Sequence, residues 1–552
     1  MMDFPLTVAH LLERGRALFG EVEIVSQQHD KSRHRQSYRD LYSRSEKLAK
    51  ALLRLGLKPG EVVATLSWNH RQHLECYLGV PAMGAVVHTL NLRLHPDEIG
   101  YIAHHANDAV LVVDRSLFPL FERFRSKVPG LRHVLVVNDD GGELPAGTLD
   151  YETLLSAEEA APHAGGFRPS ANTPFTVSDE RQAAMICYTS GTTGNPKGVA
   201  YTHRSTVLHA LGISQRDAVG LGCEDVVLPV VPMFHASAWG MPYAAVMAGA
   251  KLVFPGRHLD PASLLDLMVA ERVTLAAGVP TIWIGILQLL DANPGKWDLS
   301  AMRTMVIGGS AAPPALIEGF QTRHNLEVTH AWGMTETNPL GTLAKVTPRV
   351  RARGTKEAFS ARASQGIPVA FVEQRHVDDQ GKILPWDGKA MGELEVRGPW
   401  VANSYMRDEG PERFSSDGWF KTGDVVTIDE DGYVRITDRS KDVVKSGGEW
   451  ISSVSLENAL MAHPSVLEAA VFAGRHPKWD ERPIAAIVKK PGQEVSEDEL
   501  RALLTDAFPK FWMPDAFVFV EQIPRTSTGK FLKSRLREQF GEMLVKNEES
   551  AG

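Results

Sequence analysis

Tyr188-Thr-Ser-Gly-Thr-Thr-Gly-Asn-Pro-Lys-Gly-Val199 concentrates four Ser/Thr hydroxyls (Thr189, Ser190, Thr192, Thr193), three glycines (Gly191, Gly194, Gly198) and one lysine (Lys197) in a short span. Few physical demands call for all three ingredients together. Glycine permits positive φ angles and a close approach of backbone N–H groups to a ligand. Successive N–H groups in such a loop form an anion-binding concavity. The hydroxyls add rotatable donors and Lys197 adds a point charge, so the matching ligand is a polyphosphate. The apolar run Ala183-Ala-Met-Ile-Cys-Tyr188 reads as a strand that delivers the loop. A flexible Ser/Thr/Gly linker would need neither this strand nor the Pro196-Lys197 pair. The nucleotide P-loop, Gly-x-x-x-x-Gly-Lys-[Ser/Thr], fails on spacing. Lys197 precedes Gly198, and Val199 stands where a hydroxyl is required. The segment is a phosphate loop of another kind.

Outward from the loop, helix and strand signals alternate to about residue 350. Ser37-Tyr-Arg-Asp-Leu-Tyr-Ser-Arg-Ser-Glu-Lys-Leu-Ala-Lys-Ala-Leu-Leu-Arg-Leu55 has apolar residues at helical spacing, within a helix expected over 37–57. Gly56 and Gly60 then punctuate before the strand Val62–Leu66. The helix Ala262–Ala270 precedes a strand at Val273–Val279. Such alternation indicates α/β layers built on mostly parallel sheets. From about 368 to 437 short strands with Asp-Gly turns take over: Glu393–Arg397, Asp417–Lys421 and Asp431–Ile436. They predict a small β-barrel or meander. A charged, glycine-bearing junction follows, Asp438-Arg-Ser-Lys-Asp-Val-Val-Lys-Ser-Gly-Gly-Glu449. The remainder has its own pattern, with a helix at Leu456–His463 and strands at Val466–Phe472 and Ala485–Lys489.

At 552 residues the chain exceeds what one hydrophobic core usually holds, so more than one domain is expected. A net charge of −8 and a pI near 6.2 argue against a nucleic-acid surface. The three cysteines, Cys76, Cys187 and Cys223, lack metal-ligand spacing and suit a reducing compartment. Neither a signal peptide nor an apolar run long enough to span a bilayer is seen. The expected location is cytoplasmic, without integral membrane contact; a peripheral contact stays open.

The phosphate loop resembles the signature of the AMP-forming, adenylate-forming enzymes: acyl-CoA synthetases, luciferases and peptide-synthetase adenylation domains. At least six motifs stand in family order over essentially the whole chain. His330-Ala-Trp-Gly-Met-Thr-Glu-Thr-Asn338 resembles the family's Tyr-Gly-x-Thr-Glu. The resemblance implies that Glu336 binds Mg²⁺ with Thr192, that Thr335 contacts phosphate, and that Trp332 stacks on adenine beside Gly333 and Met334. Magnesium favours hard oxygen ligands shared with phosphates. Trp332 departs from the usual tyrosine and carries no hydroxyl. Ile307-Gly-Gly-Ser-Ala-Ala-Pro313 resembles the segment against the adenine face, offering Gly309, Ser310, Ala311 and Ala312. Lys421-Thr-Gly-Asp424 places Asp424 on the ribose hydroxyls, where two acceptor oxygens suit a vicinal diol. Arg439 is the second ribose or phosphate contact.

Pro524-Arg-Thr-Ser-Thr-Gly-Lys530 resembles the family's terminal motif, in which Lys530 reaches the carboxylate and the α-phosphate. Lys441 takes the hinge position, about which the C-terminal domain rotates between two half-reactions. One pose presents Lys530; the other presents Lys445, Gly447, Gly448, Glu449 and Trp450 and opens the thiol tunnel. Val231-Pro-Met-Phe-His-Ala-Ser-Ala-Trp239 resembles the Pro-x-Phe-His segment, with His235 near the substrate carboxylate. Trp239 matches a gating tryptophan of a bacterial long-chain acyl-CoA synthetase. Val231, Gly278, Val279 and Pro280 join it as candidates for the acyl pocket.

The expected fold is α/β. A large N-terminal domain (1–437) holds two α/β sheet subdomains and the small β-barrel. A hinge (438–443) leads to a mobile α+β lid (444–552). The expected function is ATP-dependent activation of a medium- or long-chain fatty acid, then thioester formation with coenzyme A, in a homodimer. A ligase for an aromatic, branched or sulfur-containing acid shares every nucleotide motif. A non-catalytic nucleotide- or lipid-binding homologue is the alternative from another class.

Overall fold

The computed structural model describes residues 1–160, 166–167, 173–189, 195–439, 442–446, 449–505, 507–525 and 531–545, the side chains of 449 and 450 excepted. Two large sheets dominate. One has seven strands in the order 149–150, 133–137, 108–114, 62–66, 86–89, 183–188, 198–202. All its pairs are parallel except the last, where Ala183–Tyr188 turns back antiparallel on Gly198–Thr202. The other has nine strands, and its six central members (328–333, 304–307, 275–278, 226–229, 251–254 and 23–27) run parallel. Antiparallel pairs close both edges of this second sheet. The N-terminal strands Glu23–Gln27 and Arg33–Ser37 thus sit in a sheet whose other strands start only at Val226. Periodicity carries no information on such a pairing.

Local chemistry explains the elements. The helix Tyr38–Arg54 opens on a capping box, in which Ser37 accepts from the Asp40 N–H and Asp40 accepts from the Ser37 N–H. Its buried side includes Tyr38, Leu41, Tyr42, Leu48 and Leu52. The helix Pro261–Glu271 starts with Asp260 as cap and Pro261 at its first position. It ends on Arg272 in the left-handed region, and the following strand spans Leu275–Gly278, shorter than the expected 273–279. The segment Asp417–Lys421 is largely turn, with its strand starting only at Phe420.

Of the two forms expected for 368–437, the described strands make the meander. Glu373–Val377, Gly392–Arg397, Phe420–Ile428 and Val434–Arg439 pair consecutively and antiparallel, and no described pair joins the first to the last as a barrel would. Beyond it, Val466–His476 and Asp480–Lys489 form a long hairpin flanked by 444–446 and 516–519, with the helix Ser453–Met461 packed on it. Lys533 ties this C-terminal unit to the junction. Its ammonium lies 2.7 Å from Glu457 and bonds the Ser453 hydroxyl, while Asp438 accepts from the Ser453 N–H at 2.9 Å. All four are buried. Burial pushes the Glu457 and Asp438 carboxyls up, and the two acids hold the Lys533 ammonium above its usual range against its own desolvation. Arg537 adds an ion pair to Asp442 at 2.7 Å. No described helix is long and apolar enough to cross a membrane.

Candidate active site

The carboxyl ends of the parallel strands converge on one cleft of about 550 Å³. That is where ligands bind in open α/β sheets. The strand Ala183–Tyr188 delivers Thr189, and the antiparallel return strand brings back Lys197. The two ends of the loop are pinned: the Thr189 N–H bonds the Lys197 carbonyl at 2.9 Å, and the Lys197 N–H bonds Thr189 Oγ1 at 3.1 Å. Thr189, Asn195 and Lys197 line the cleft. Ser190, Gly191, Thr192, Thr193 and Gly194 lie outside the described residues, as do Lys441, Gly447, Gly448 and Lys530 and the side chains of Glu449 and Trp450.

The strand Thr304–Ile307 ends on Gly308, Gly309, Ser310 and Ala311, all facing the cleft. Ala312 does not line it; it is buried, and its N–H bonds His330 Nε2 at 3.3 Å. The next strand, Val328–Gly333, brings Trp332, Gly333 and Met334 to the rim, then Thr335 and Glu336 in a short 3₁₀ turn. Gly333 is there because nothing larger fits: a Cβ would stand 1.8 Å from the Pro339 carbonyl oxygen of the returning chain. Three donors fix this turn. Tyr201 Oη bonds the Thr335 carbonyl at 2.6 Å, the Ala402 N–H bonds the Glu336 carbonyl at 2.7 Å, and Tyr405 Oη bonds Glu336 Oε1 at 2.5 Å. Burial, and then the Glu336 charge, raises the Tyr405 hydroxyl well above its usual range and keeps it a donor.

Asp424 and Arg439 face each other across neighbouring strands of the meander. Asp424 is buried; its Oδ2 accepts from the Trp332 indole N–H at 2.8 Å. Its Oδ1 lies 2.7 Å from Arg439 Nε but accepts no hydrogen bond from the described residues. A buried acceptor oxygen with spare capacity at the cleft wall calls for a donor from a ligand.

The apolar end of the cleft follows a left-handed turn. Ala236, Ser237, Ala238 and Trp239 all have positive φ (36°, 46°, 51° and 55°), followed by Gly240 at 70°. Each non-glycine residue there costs about 1–2 kcal/mol, so tertiary packing holds it. Ser237 Oγ lies 2.9 Å from Cys187 Sγ, and a Cβ on Gly240 would stand 2.4 Å from His209 Nδ1. The turn lays the Trp239 ring beside Gly308 and Gly309. His235, Trp239 and Pro280 line the cleft. Val231, Gly278 and Val279 stand behind the lining: Val231 is buried in the core, the Gly278 carbonyl takes the Trp283 indole N–H at 3.0 Å, and Val279 packs on Gly309.

Several lining residues escaped the sequence reading. Ile213, Val219, Met241, Ile284 and Leu343 come from five separate segments and share no local spacing. Tyr405 and Arg413 sit in a stretch without a motif, and only contact with Glu336 and the cleft marks them out. On the C-terminal side, Arg525 and Phe531 line the same cleft. Lys445 does not: its ammonium lies 3.9 Å from Asp379 at the far turn of the meander.

Comparison with known proteins gives a consistent result. Residues 16–406 match the family described as AMP-binding enzyme, and residues 455–530 match the AMP-binding enzyme C-terminal domain. A long-chain-fatty-acid–CoA ligase of Thermus thermophilus is 47% identical over 98% of this chain and 96% of its own. A medium-chain-fatty-acid–CoA ligase of Ectopseudomonas oleovorans is 42% identical over 100% of this chain and 99% of its own. Among solved structures, the anthranilate CoA ligase AuaEII in complex with anthranoyl-AMP superimposes with a TM-score of 0.84 at 26% identity, covering 99% of both chains.

Proposed function

We propose that this chain, which belongs to the AMP-binding enzyme family, is an acyl-CoA ligase whose acid is a medium- or long-chain fatty acid. It uses ATP, Mg²⁺ and coenzyme A. The observation that carries the reading is the cleft itself. It joins Thr189 and Lys197, the carboxylates of Glu336 and Asp424, and an apolar wall that includes Trp239, Ile213 and Ile284.

In this reading the adenine lies between Trp332 and the flat Gly309–Ala311 backbone. Asp424 Oδ1 accepts from the ribose, with Arg439 alongside. Thr189, Lys197 and the hydroxyls between them cradle the phosphates. Glu336 suits Mg²⁺ by its chemistry: a hard oxygen, with Oε2 free of hydrogen bonds among the described residues. No described group of three or more His, Cys, Asp or Glu side chains competes as a metal cage. Such a site matches a cation that takes one or two carboxylates and completes its shell with phosphate and water. Bound there, Mg²⁺ would neutralise phosphate charge, with Glu336 and Thr192 holding it.

The acid's carboxylate oxygen, directed by His235, attacks the α-phosphorus of ATP and pyrophosphate leaves. The coenzyme A sulfur then adds to the acyl carbonyl, AMP departs, and the thiol proton passes to solvent. Adenylation supplies the leaving group, so no protein nucleophile is required. We place the boundary between the two domains at 438–443. The cleft-facing Arg525 and Phe531, with Lys445 turned to Asp379, support the pose that serves adenylation. A cytoplasmic homodimer completes the proposal.

The aliphatic character of Ile213, Val219, Met241 and Ile284 favours an alkyl chain. An aryl acid is the second reading, supported by the likeness to the anthranilate ligase. Pyrophosphate and AMP release, measured with ATP, Mg²⁺ and coenzyme A across acids from acetate to palmitate, aryl acids and 3-(methylthio)propionate, separates them. An optimum among the alkyl acids is expected. Turnover confined to aryl or sulfur-containing acids would overturn the substrate and keep the chemistry. No release with any acid, despite ATP binding, would overturn the ligase reading.

A further inference from the structure

Between the meander's second and third strands, residues 402–413 pack against the two roots of the phosphate loop. The segment is held at both roots. Arg407 bonds the His105 carbonyl at 2.7 Å; His105 Nε2 lies 3.3 Å from Glu409, and His105 Nδ1 lies 2.6 Å from Tyr188 Oη. Met406 packs where a Cβ on Gly198 would stand 2.8 Å from its sulfur. Tyr188 and Gly198 bracket the loop, so its two roots and residues 402–413 form one packed unit. Arg407 and Asp408 take left-handed backbone (φ 58° and 53°), which turns the chain back after Tyr405.

Tyr405 joins Glu336 to Lys197, which also pairs with Glu412 of the same segment at 3.7 Å. Its hydroxyl donates to Glu336 Oε1 at 2.5 Å, and the Lys197 ammonium stands 5.2 Å from its ring centroid. Both Tyr405 and Glu336 are buried. A carboxylate on a short 3₁₀ turn can rotate about its own side-chain bonds, and a metal ligand that rotates binds weakly. Hydrogen-bonded partners behind such ligands fix their orientation, and losing one typically costs about 10–100-fold in metal affinity.

We infer that Tyr405 is a positioning residue for the Mg²⁺–ATP complex, holding Glu336 with its hydroxyl and supporting Lys197 with its ring. The inference rests on Glu336 as the metal carboxylate. Its test is binding of a fluorescent ATP analogue, mant-ATP, to the full chain, titrated with MgCl₂ and repeated in EDTA. Tyr405→Phe keeps the ring and the volume and loses only the hydroxyl. The expected result is about a tenfold rise in the Mg²⁺ concentration at half-saturation, with mant-ATP binding in EDTA unchanged. In turnover, saturating Mg²⁺ restores kcat while KM for ATP at low Mg²⁺ stays raised. In a Glu336→Gln background Tyr405→Phe adds nothing. An unchanged Mg²⁺ midpoint in Tyr405→Phe, with the dependence lost in Glu336→Gln, would overturn the role of Tyr405 alone. A further loss on top of Glu336→Gln would show that Tyr405 acts by another route and also overturn it. An unchanged midpoint in Glu336→Gln would overturn the metal assignment itself.

Discussion

Replacing Lys530 by alanine is expected to slow acid-dependent pyrophosphate release by about 10²–10³-fold, the usual loss when one preorganised charge-stabilising donor is removed. Charge develops on the acid's oxygens and on the α-phosphate as they join, and a lysine placed there stabilises the transition state more than the ground state. Lys530 lies outside the described residues, but its neighbours Arg525 and Phe531 both face the cleft. The second half-reaction makes a different demand, because acyl-AMP is already formed. Acyl-CoA formation from supplied acyl-AMP and coenzyme A should therefore keep its rate in Lys530→Ala. Single-turnover assays of the two steps, run separately, give the answer. Equal losses in both would sink the two-pose reading.

A second large effect is expected from acid. Burial alone pushes the His209 imidazole down to about 3. Its surroundings explain this: Nε2 accepts the Leu340 N–H at 3.2 Å, Trp400 packs edge-on, and Gly240 closes over Nδ1. A proton on Nε2 would break the first of these contacts and bury a charge. Below about pH 6.5 the unfolded chain takes this proton, and the folded chain does not until about pH 3. The unfolded state binds more protons across that window, so stability rises with pH there and is lost on acidification. The loss is about 1.4 kcal/mol per pH unit from this residue. Buried carboxyls with raised values, such as Asp108 and Glu457, slope the other way. The clean readout is therefore a difference: urea unfolding midpoints from pH 7 to 4.5 should fall less steeply in His209→Gln than in the unsubstituted protein. Parallel slopes would mean that His209 charges in place.

The phosphate loop was legible because its chemistry is contiguous. Hydroxyls, glycines and Lys197 must be neighbours to wrap one ligand group, and the strand before them is a simple apolar run. The alternation of helix and strand announced parallel sheets, and the Asp-Gly turns announced the meander. Its choice over a barrel waited on whether Glu373–Val377 meets Val434–Arg439, a pairing no local signal encodes. Trp332 shows the limit within a motif. Its place was expected, but its indole bond to Asp424 joins residues ninety-two positions apart.

The order of amino acids by itself determined the strand–loop unit at 183–199, the helices with their caps, the charged junction at 438–449 and the family to which all of these belong. These features depend on contacts within a few residues, where propensity, capping and glycine act directly. Tertiary structure decided the rest. It set the N-terminal strand inside the second sheet, held four non-glycine residues left-handed to aim Trp239, and drew an apolar lining from five segments. It also brought Tyr405 to Glu336. Each of these is stabilised only when distant segments pack together, so none leaves a periodic or local mark on the chain.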